Sequence, residues 1–284
     1  MVEIRPMRED DAGEAYRVAS FAFANDTEVS NRPPEQVERR IARYGAFLRL
    51  DPDGGFVADE DGRTIGVAVA LRREGLWVLS QFAVEKESRG SGVGGSLMRA
   101  ILNYGEGCVA GMIASSTHPA AMRTYANAGF VLHPTLTAKG VVRRERIPRT
   151  PNVREGGLDD VDLAADVDRC LRGAAHGPDL EFMLGTARML VVDGGHGRGY
   201  AVIEEEGIQL LGATTRETAS ELLWGCLAVS SPKNGLEVPW LTAAQDWAVR
   251  VVLDAGLDLH PGGPICVKGN PGPLAPYLPS GPFL

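Results

Sequence analysis

Cysteine is scarce in this chain: Cys108, Cys170, Cys226 and Cys266 are the only four in 284 residues, and no two of them form a CxxC. That spacing argues against a disulfide framework and fits the reduced thiols of a cytoplasmic protein. The five histidines stand apart, with no HExxH or HxH among them. A zinc site needs four clustered ligands, so no metal is expected. No stretch reaches the ~20 consecutive apolar residues of a membrane-spanning helix. The opening, MVEIRPMREDDAGEA, is charged from its third residue and has no apolar signal-peptide core. No membrane partner is expected.

Positive charge is also short, with 29 Lys+Arg against 37 Asp+Glu and a net charge of −8. The deficit is uneven. Residues 1–150 hold 20 basic and 19 acidic side chains, a net +1, and residues 151–284 hold 9 and 18, a net −9. An acidic half does not release counterions from nucleic acid, so no nucleic-acid partner is expected. Glycine, by contrast, is plentiful at 35 residues, and many tight turns follow.

The first half alternates strand and helix signals. Val2–Met7 reads as a strand, and Arg8–Asn25 as a helix opened by Glu9, Asp10 and Asp11, which suit the positive end of the helix dipole. Pro33–Leu50 reads as a second helix with prolines in its first turn. Three strands follow, Gly55–Asp59, Thr64–Arg72 and Leu76–Val84, the first two joined by the hairpin signal Asp61-Gly62. After the loop Arg89–Gly95 come a helix over Gly95–Tyr104, a strand over Val109–Ser115 and a helix over Pro119–Asn127 stopped by Gly129. The basic, proline-bearing run Arg143–Pro151 reads as a linker. The ending from Pro261 onward is rich in proline and glycine and reads as a segment laid over a surface.

The second half repeats the plan. Ile4-Arg5 and Asp10-Asp11 match Val153-Arg154 and Asp159-Asp160 at an offset of 149. Ala121, Arg123, Ala128 and Gly129 match Ala248, Arg250, Ala255 and Gly256 at an offset of 127. The shared order reads as an internal duplication, with domains over 1–148 and 149–284.

The chemistry concentrates in Leu76–Leu102, which reads strand, glycine loop, helix. Four glycines within six residues, Gly90, Gly92, Gly94 and Gly95, let the backbone come close to a ligand. The helix that follows offers free N–H groups and a positive dipole end, a receptor for pyrophosphate. A P-loop lysine is absent. Gly90, Gly92 and Gly95 spell GxGxxG, but five residues separate them from the strand and the acidic ribose ligand of a dinucleotide fold is missing. A nicotinamide or flavin reading is therefore weak.

On these residues the chain resembles the GNAT superfamily of N-acetyltransferases. Arg89, Gly92 and Gly94 match the coenzyme A loop [Q/R]-x-x-G-x-[G/A]. His118, Ala121, Tyr125, Gly129 and Phe130 match N-x-x-A-x-x-x-Y-x-x-x-G-F, with His in place of Asn. The resemblance implies an α/β (α+β) fold of two GNAT-like domains, each a mixed, mainly antiparallel sheet flanked by helices. It implies acetyl-CoA as acetyl donor, without a metal. It places the pyrophosphate on the backbone of Arg89, Gly90, Ser91, Gly92, Val93, Gly94 and Gly95, the pantetheine arm and thioester carbonyl beside Phe82, Ala83 and Val84, and the coenzyme near His118. Tyr125 would protonate the departing thiolate, and a small-molecule or peptide amine would attack directly. A homo-oligomer is compatible with this layout. No general base stands out: Ser80 and Gln81 could position a water, and Asp26, Glu28 and His118 are further candidates. The missing carboxylate on Leu76–Val84 leaves a non-catalytic acyl-CoA-binding or sensing protein as the alternative. In the second copy the glycine loop falls on Gly212–Gly225, without glycines between its ends, and the tyrosine falls on Val252. That copy reads as degenerate.

Overall fold

A computed structural model describes residues 1–23, 29–204, 207–230 and 235–284. The helix end at Asn25 and the base candidates Asp26 and Glu28 lie outside these described residues. By contacts the chain divides into two units, the first Met1–Arg72 with Trp77–Cys108, the second Arg73–Leu76 with Val109–Leu284.

In the first unit the strands β1 (Val2–Pro6), β2 (Gly55–Glu60), β3 (Arg63–Arg73) and β4 (Leu76–Val84) lie side by side in that order. β1 and β3 both run antiparallel to β2. β3 is buried from Thr64 to Leu71, the mark of a strand covered on both faces. Helices α1 (Ala12–Phe23), α2 (Pro34–Leu50) and α3 (Val93–Tyr104) complete the unit. A side chain at Gly66 on β3 would meet Leu97 Cδ1 of α3 at 2.8 Å, so this glycine lets helix and sheet close up. Glu9, Asp10 and Asp11 form a separate 3₁₀ turn ahead of α1, and α3 starts two residues earlier than its sequence suggested.

The second unit holds a longer sheet, ordered β5 (Ala110–Ala114), β12 (Asp258–Gly269), β6 (Val131–Gly140), β11 (Leu236–Leu241), β10 (Gly207–Ala213), β9 (Gly197–Glu204), β8 (Arg188–Gly194) and β7 (Arg154–Gly156). Among the described residues its pairings are antiparallel except that of β10 with β11. Helices α4 (Pro119–Asn127), α5 (Val161–Arg172), α6 (Pro178–Leu184), α7 (Arg216–Val229) and α8 (Asp246–Asp254) belong with it. Its apolar core gathers Ala201, Leu211, Leu222, Leu223, Val252 and their neighbours. The fold class is the expected one, mixed α/β with a mostly antiparallel sheet flanked by helices.

Two expectations need correction. The proline- and glycine-rich ending is not laid over a surface. Its first part is β12, inside the sheet between β5 and β6. A Cβ at Gly263 would lie 2.0 Å from the Ser115 carbonyl oxygen, so only a glycine permits this approach, and Ser115 N donates to Pro264 O at 3.0 Å. The remainder is buried too, with Tyr277, Leu278, Ser280 and Leu284 all inaccessible, and Tyr277–Leu278 form β13 on β10. The run Arg143–Pro151 is likewise no free linker. The Arg144 guanidinium donates to the carbonyls of Leu227, Ala228 and Ser230 at the end of α7, satisfying acceptors that a helix C-terminus leaves open.

Candidate active site

β4 delivers Phe82, Ala83 and Val84 to the point where the glycine loop begins. Glu85 fixes the turn after the strand. Its carboxylate, 8% exposed, accepts from Arg17 at 2.6 Å and Arg63 at 2.7 Å, and its amide donates to Ile65 O at 2.9 Å. Sequence reasoning passed over Glu85, because its partners are 68 and 22 residues away. Arg89 folds back so that Nε donates to Val84 O at 3.1 Å, and Ser91 Oγ donates to Ser88 O at 2.7 Å.

Gly92 is the N-cap of α3, at φ +93°, and no side chain caps this helix end. The amides of Val93, Gly94 and Gly95 therefore open the helix as orphan donors on its positive end. A Cβ at Gly90 or Gly92 would meet nothing within 4 Å, so these positions face open space. Gly94 packs its α-carbon side toward Val84 and Phe82, where a Cβ would find them at 3.8 and 3.9 Å. The structure thus brings Phe82–Val84, Arg89 and Gly90–Gly95 into one neighbourhood of the first unit. It is shaped to take an anion on backbone N–H groups beside a strand end.

Tyr125 and His118 lie on α4, in the second unit. His118 is exposed, and its Nδ1 accepts from Ala120 N at 3.2 Å. It does the capping work that Asn does equally well. Tyr125 is 5% exposed, and burial pushes its phenol well above the ordinary range. It therefore stays a neutral donor at physiological pH. Of the base candidates, Ser80 carries a buried hydroxyl without a partner among the described residues, and Gln81 is half-buried.

The counterpart positions in the second half differ. Thr215 caps α7, its Oγ1 accepting from Thr218 N at 3.2 Å and donating to His196 O at 3.1 Å. A Cβ on Gly197 would meet the hydroxyls of Thr218, Thr215 and Thr214 at 2.5, 2.8 and 3.1 Å. The β8–β9 turn thus sits over the start of α7. Val252 is wholly buried and has no polar atom to offer. Among the described residues, β10 and β11 pair only at Gly207 and Glu237. Because β9 occupies the other edge of β10, β13 pairs with β10 on the side that opens toward β11.

Comparison with known proteins bears on this fold and on the stretch that contains this loop. Residues 19–130 match the profile of the acetyltransferase (GNAT) family, so the chain carries a GNAT acetyltransferase domain. A crystal structure from Pyrococcus horikoshii, described as that of a candidate acetyltransferase, is similar over 98% of this chain and 94% of its own, with a TM-score of 0.79 and 17% identity. GCN5-related N-acetyltransferases from Kribbella flavida and Sphaerobacter thermophilus are similar at TM-scores of 0.61 and 0.58. They share 14% and 17% identity over 94% and 95% of this chain and 72% and 96% of theirs. At these identities the likeness is one of fold. No curated protein sequence matches the chain significantly. Among the described residues no helix is long and apolar enough to cross a membrane.

Proposed function

We propose that the protein is an acetyl-CoA-dependent N-acetyltransferase with one working cofactor site, built from the first copy of a duplicated domain (1–148). The second copy (149–284) is degenerate. The observation that carries this is the contrast between two helix starts. α3 begins on Gly92 with its donors uncapped and open space over the glycines, whereas α7 begins under its own threonine and the β8–β9 turn.

In this reading the amides from Arg89 to Gly95 hold the pyrophosphate. The backbone of Phe82–Val84 holds the pantetheine arm and polarises the thioester carbonyl. In this proposal the acceptor's neutral amine attacks the carbonyl carbon, a C–N bond forms, the C–S bond breaks, Tyr125 gives its proton to the departing thiolate, and the surplus proton on the new amide nitrogen leaves to solvent, from which the phenolate is reprotonated. The acceptor is a small-molecule or peptide amine. In the second copy the edge of β10 corresponding to this cofactor strand is taken by the chain's own β13.

Duplication draws support from two local matches. Arg5 holds Asp11 through two bonds of 2.8 Å while Asp11 accepts from Arg8 N. Arg154 holds Asp160 through bonds of 3.0 and 2.6 Å while Asp160 accepts from Gly157 N. At the ends of α4 and α8, Phe130 N donates to Tyr125 O and Leu257 N to Val252 O, each across the same five residues. The deciding experiment is an amine-panel screen with acetyl-CoA and thiol release as readout. Amine-stimulated release supports the reading. Coenzyme binding without any amine stimulation would instead support an acyl-CoA-binding or sensing protein.

A further inference from the structure

The second unit contains a cavity of about 360 Å³ that the acetyl-transfer reading does not use. Its floor is the sheet. Ile265 and Val267 of β12, Met112 of β5 and His133 of β6 line it, and the register places Val267 opposite Met112 and Ile265 opposite His133. The intervening residue, Cys266, points to the opposite face, where burial and Tyr125 surround it. Cavity and tyrosine therefore lie on opposite faces of β12.

Trp240 forms one wall. It stands in β11 at φ +54°, between Val238 and Leu241, where the pairing with β6 shifts register. A bulky residue at positive φ is an outlier. A bulge that re-aims a side chain is a device found beside functional sites. The far wall is held by Gln245, whose Nε2 donates to Leu274 O at 2.7 Å and whose Oε1 accepts from Trp247 Nε1 and Tyr277 N. The walls are thus built by a strained aromatic and a fully committed buried amide, Gln245 being 2% exposed. Among the described residues, no Asp, Glu, Lys or Arg lines the cavity. A charged ligand would find no carboxylate, ammonium or guanidinium to pair with and only a few polar groups such as His133 and Asn270, whereas an indole face and aliphatic side chains suit a flat neutral ring.

We propose that this cavity is a binding site for an uncharged aromatic or heteroaromatic ring. The test uses the full chain and three fluorinated probes of similar size, 5-fluoroindole, 4-fluorobenzoate and 4-fluorobenzylammonium, followed by ¹⁹F NMR titration. The expected result is saturable binding of 5-fluoroindole with Kd of about 1 mM or tighter, and binding at least ~10-fold weaker for both ions. Trp240→Ala should weaken 5-fluoroindole about tenfold. Should that variant fail to fold, Ala244→Phe serves instead, since Ala244 is exposed and lines the cavity, and it should block binding with the thermal midpoint unchanged. No saturable binding, equal binding of the ions, or binding undisturbed in folded Ala244→Phe would each overturn the proposal.

Discussion

Thr215 Oγ1 stands 3.2 Å from the amide of Thr218 and accepts its hydrogen, so α7 meets solvent with one of its first donors already claimed. Helix α3, which the proposed duplication pairs with it, starts on Gly92, with no side chain over its end. Calorimetry should therefore give about one CoA per chain. Gly92→Val should abolish binding, because valine resists φ +93° and fills the space over the helix start. Thr215→Val should leave binding intact. A stoichiometry near two would contradict the single-site reading.

Tyr125→Phe keeps the buried ring and removes only the hydroxyl. If Tyr125 protonates the thiolate, kcat should fall by about 10²–10⁴-fold with little change in the KM for acetyl-CoA. Thermal unfolding measured beside the kinetics should show a folded enzyme. A kcat within about threefold of wild type would remove Tyr125 from the mechanism.

The two Arg–Asp clamps differ in surroundings, and so should their substitutions. The Arg5 side chain is 20% exposed and also holds Asp59, while Arg154 is 51% exposed. Asp11→Ala should cost about 2–3 kcal/mol and Asp160→Ala about 1–2 kcal/mol, the latter mostly its helix-start contribution. Urea unfolding of both variants checks the order, and a larger loss at Asp160 would contradict it.

Gly263→Ala places a methyl group where the Ser115 carbonyl oxygen lies 2.0 Å away. Because the clashing atoms are the backbone of Ser115 and Ser116, just past the β5–β12 pairing and held by the Ser115 N to Pro264 O bond, the variant should lose at least about 3 kcal/mol. A near-neutral result in chemical denaturation would show that Gly263 does not pass the Ser115 carbonyl this closely.

Alkaline stability follows from burial. It raises the phenols of Tyr44, Tyr125, Tyr200 and Tyr277 above their ordinary 10.0 and the Cys266 thiol from 9.0 to about 12. The fold favours the protonated forms, so the unfolded chain releases these protons first. Their contribution is complete below about pH 9 and declines as pH rises through 9 to 12. Urea midpoints should fall from about pH 9 and faster beyond pH 10, and a flat profile to pH 11 would contradict it.

The sequence by itself determined most local elements of the first half and the glycine-rich character of the loop before α3. β4, α4 and the Asp61-Gly62 turn fell where periodicity and turn chemistry put them, because these signals act over a few residues. The absence of glycines between Gly212 and Gly225 was equally legible, since it is visible without coordinates. Glu85 and its two arginines were not, nor was the role of the ending. Nothing local marks a segment of Pro261, Gly262, Gly263 and Pro264 as a strand, and its residues are poor strand formers. Pairing with β5 and β6, far away in the chain, makes it one. Gly263 reads as flexibility in sequence, but in the sheet it is the one residue small enough to pass the Ser115 carbonyl. The cover over the start of α7 was likewise decided in three dimensions, since it depends on the β8–β9 turn arriving over Thr215, whereas the cap itself is a local contact.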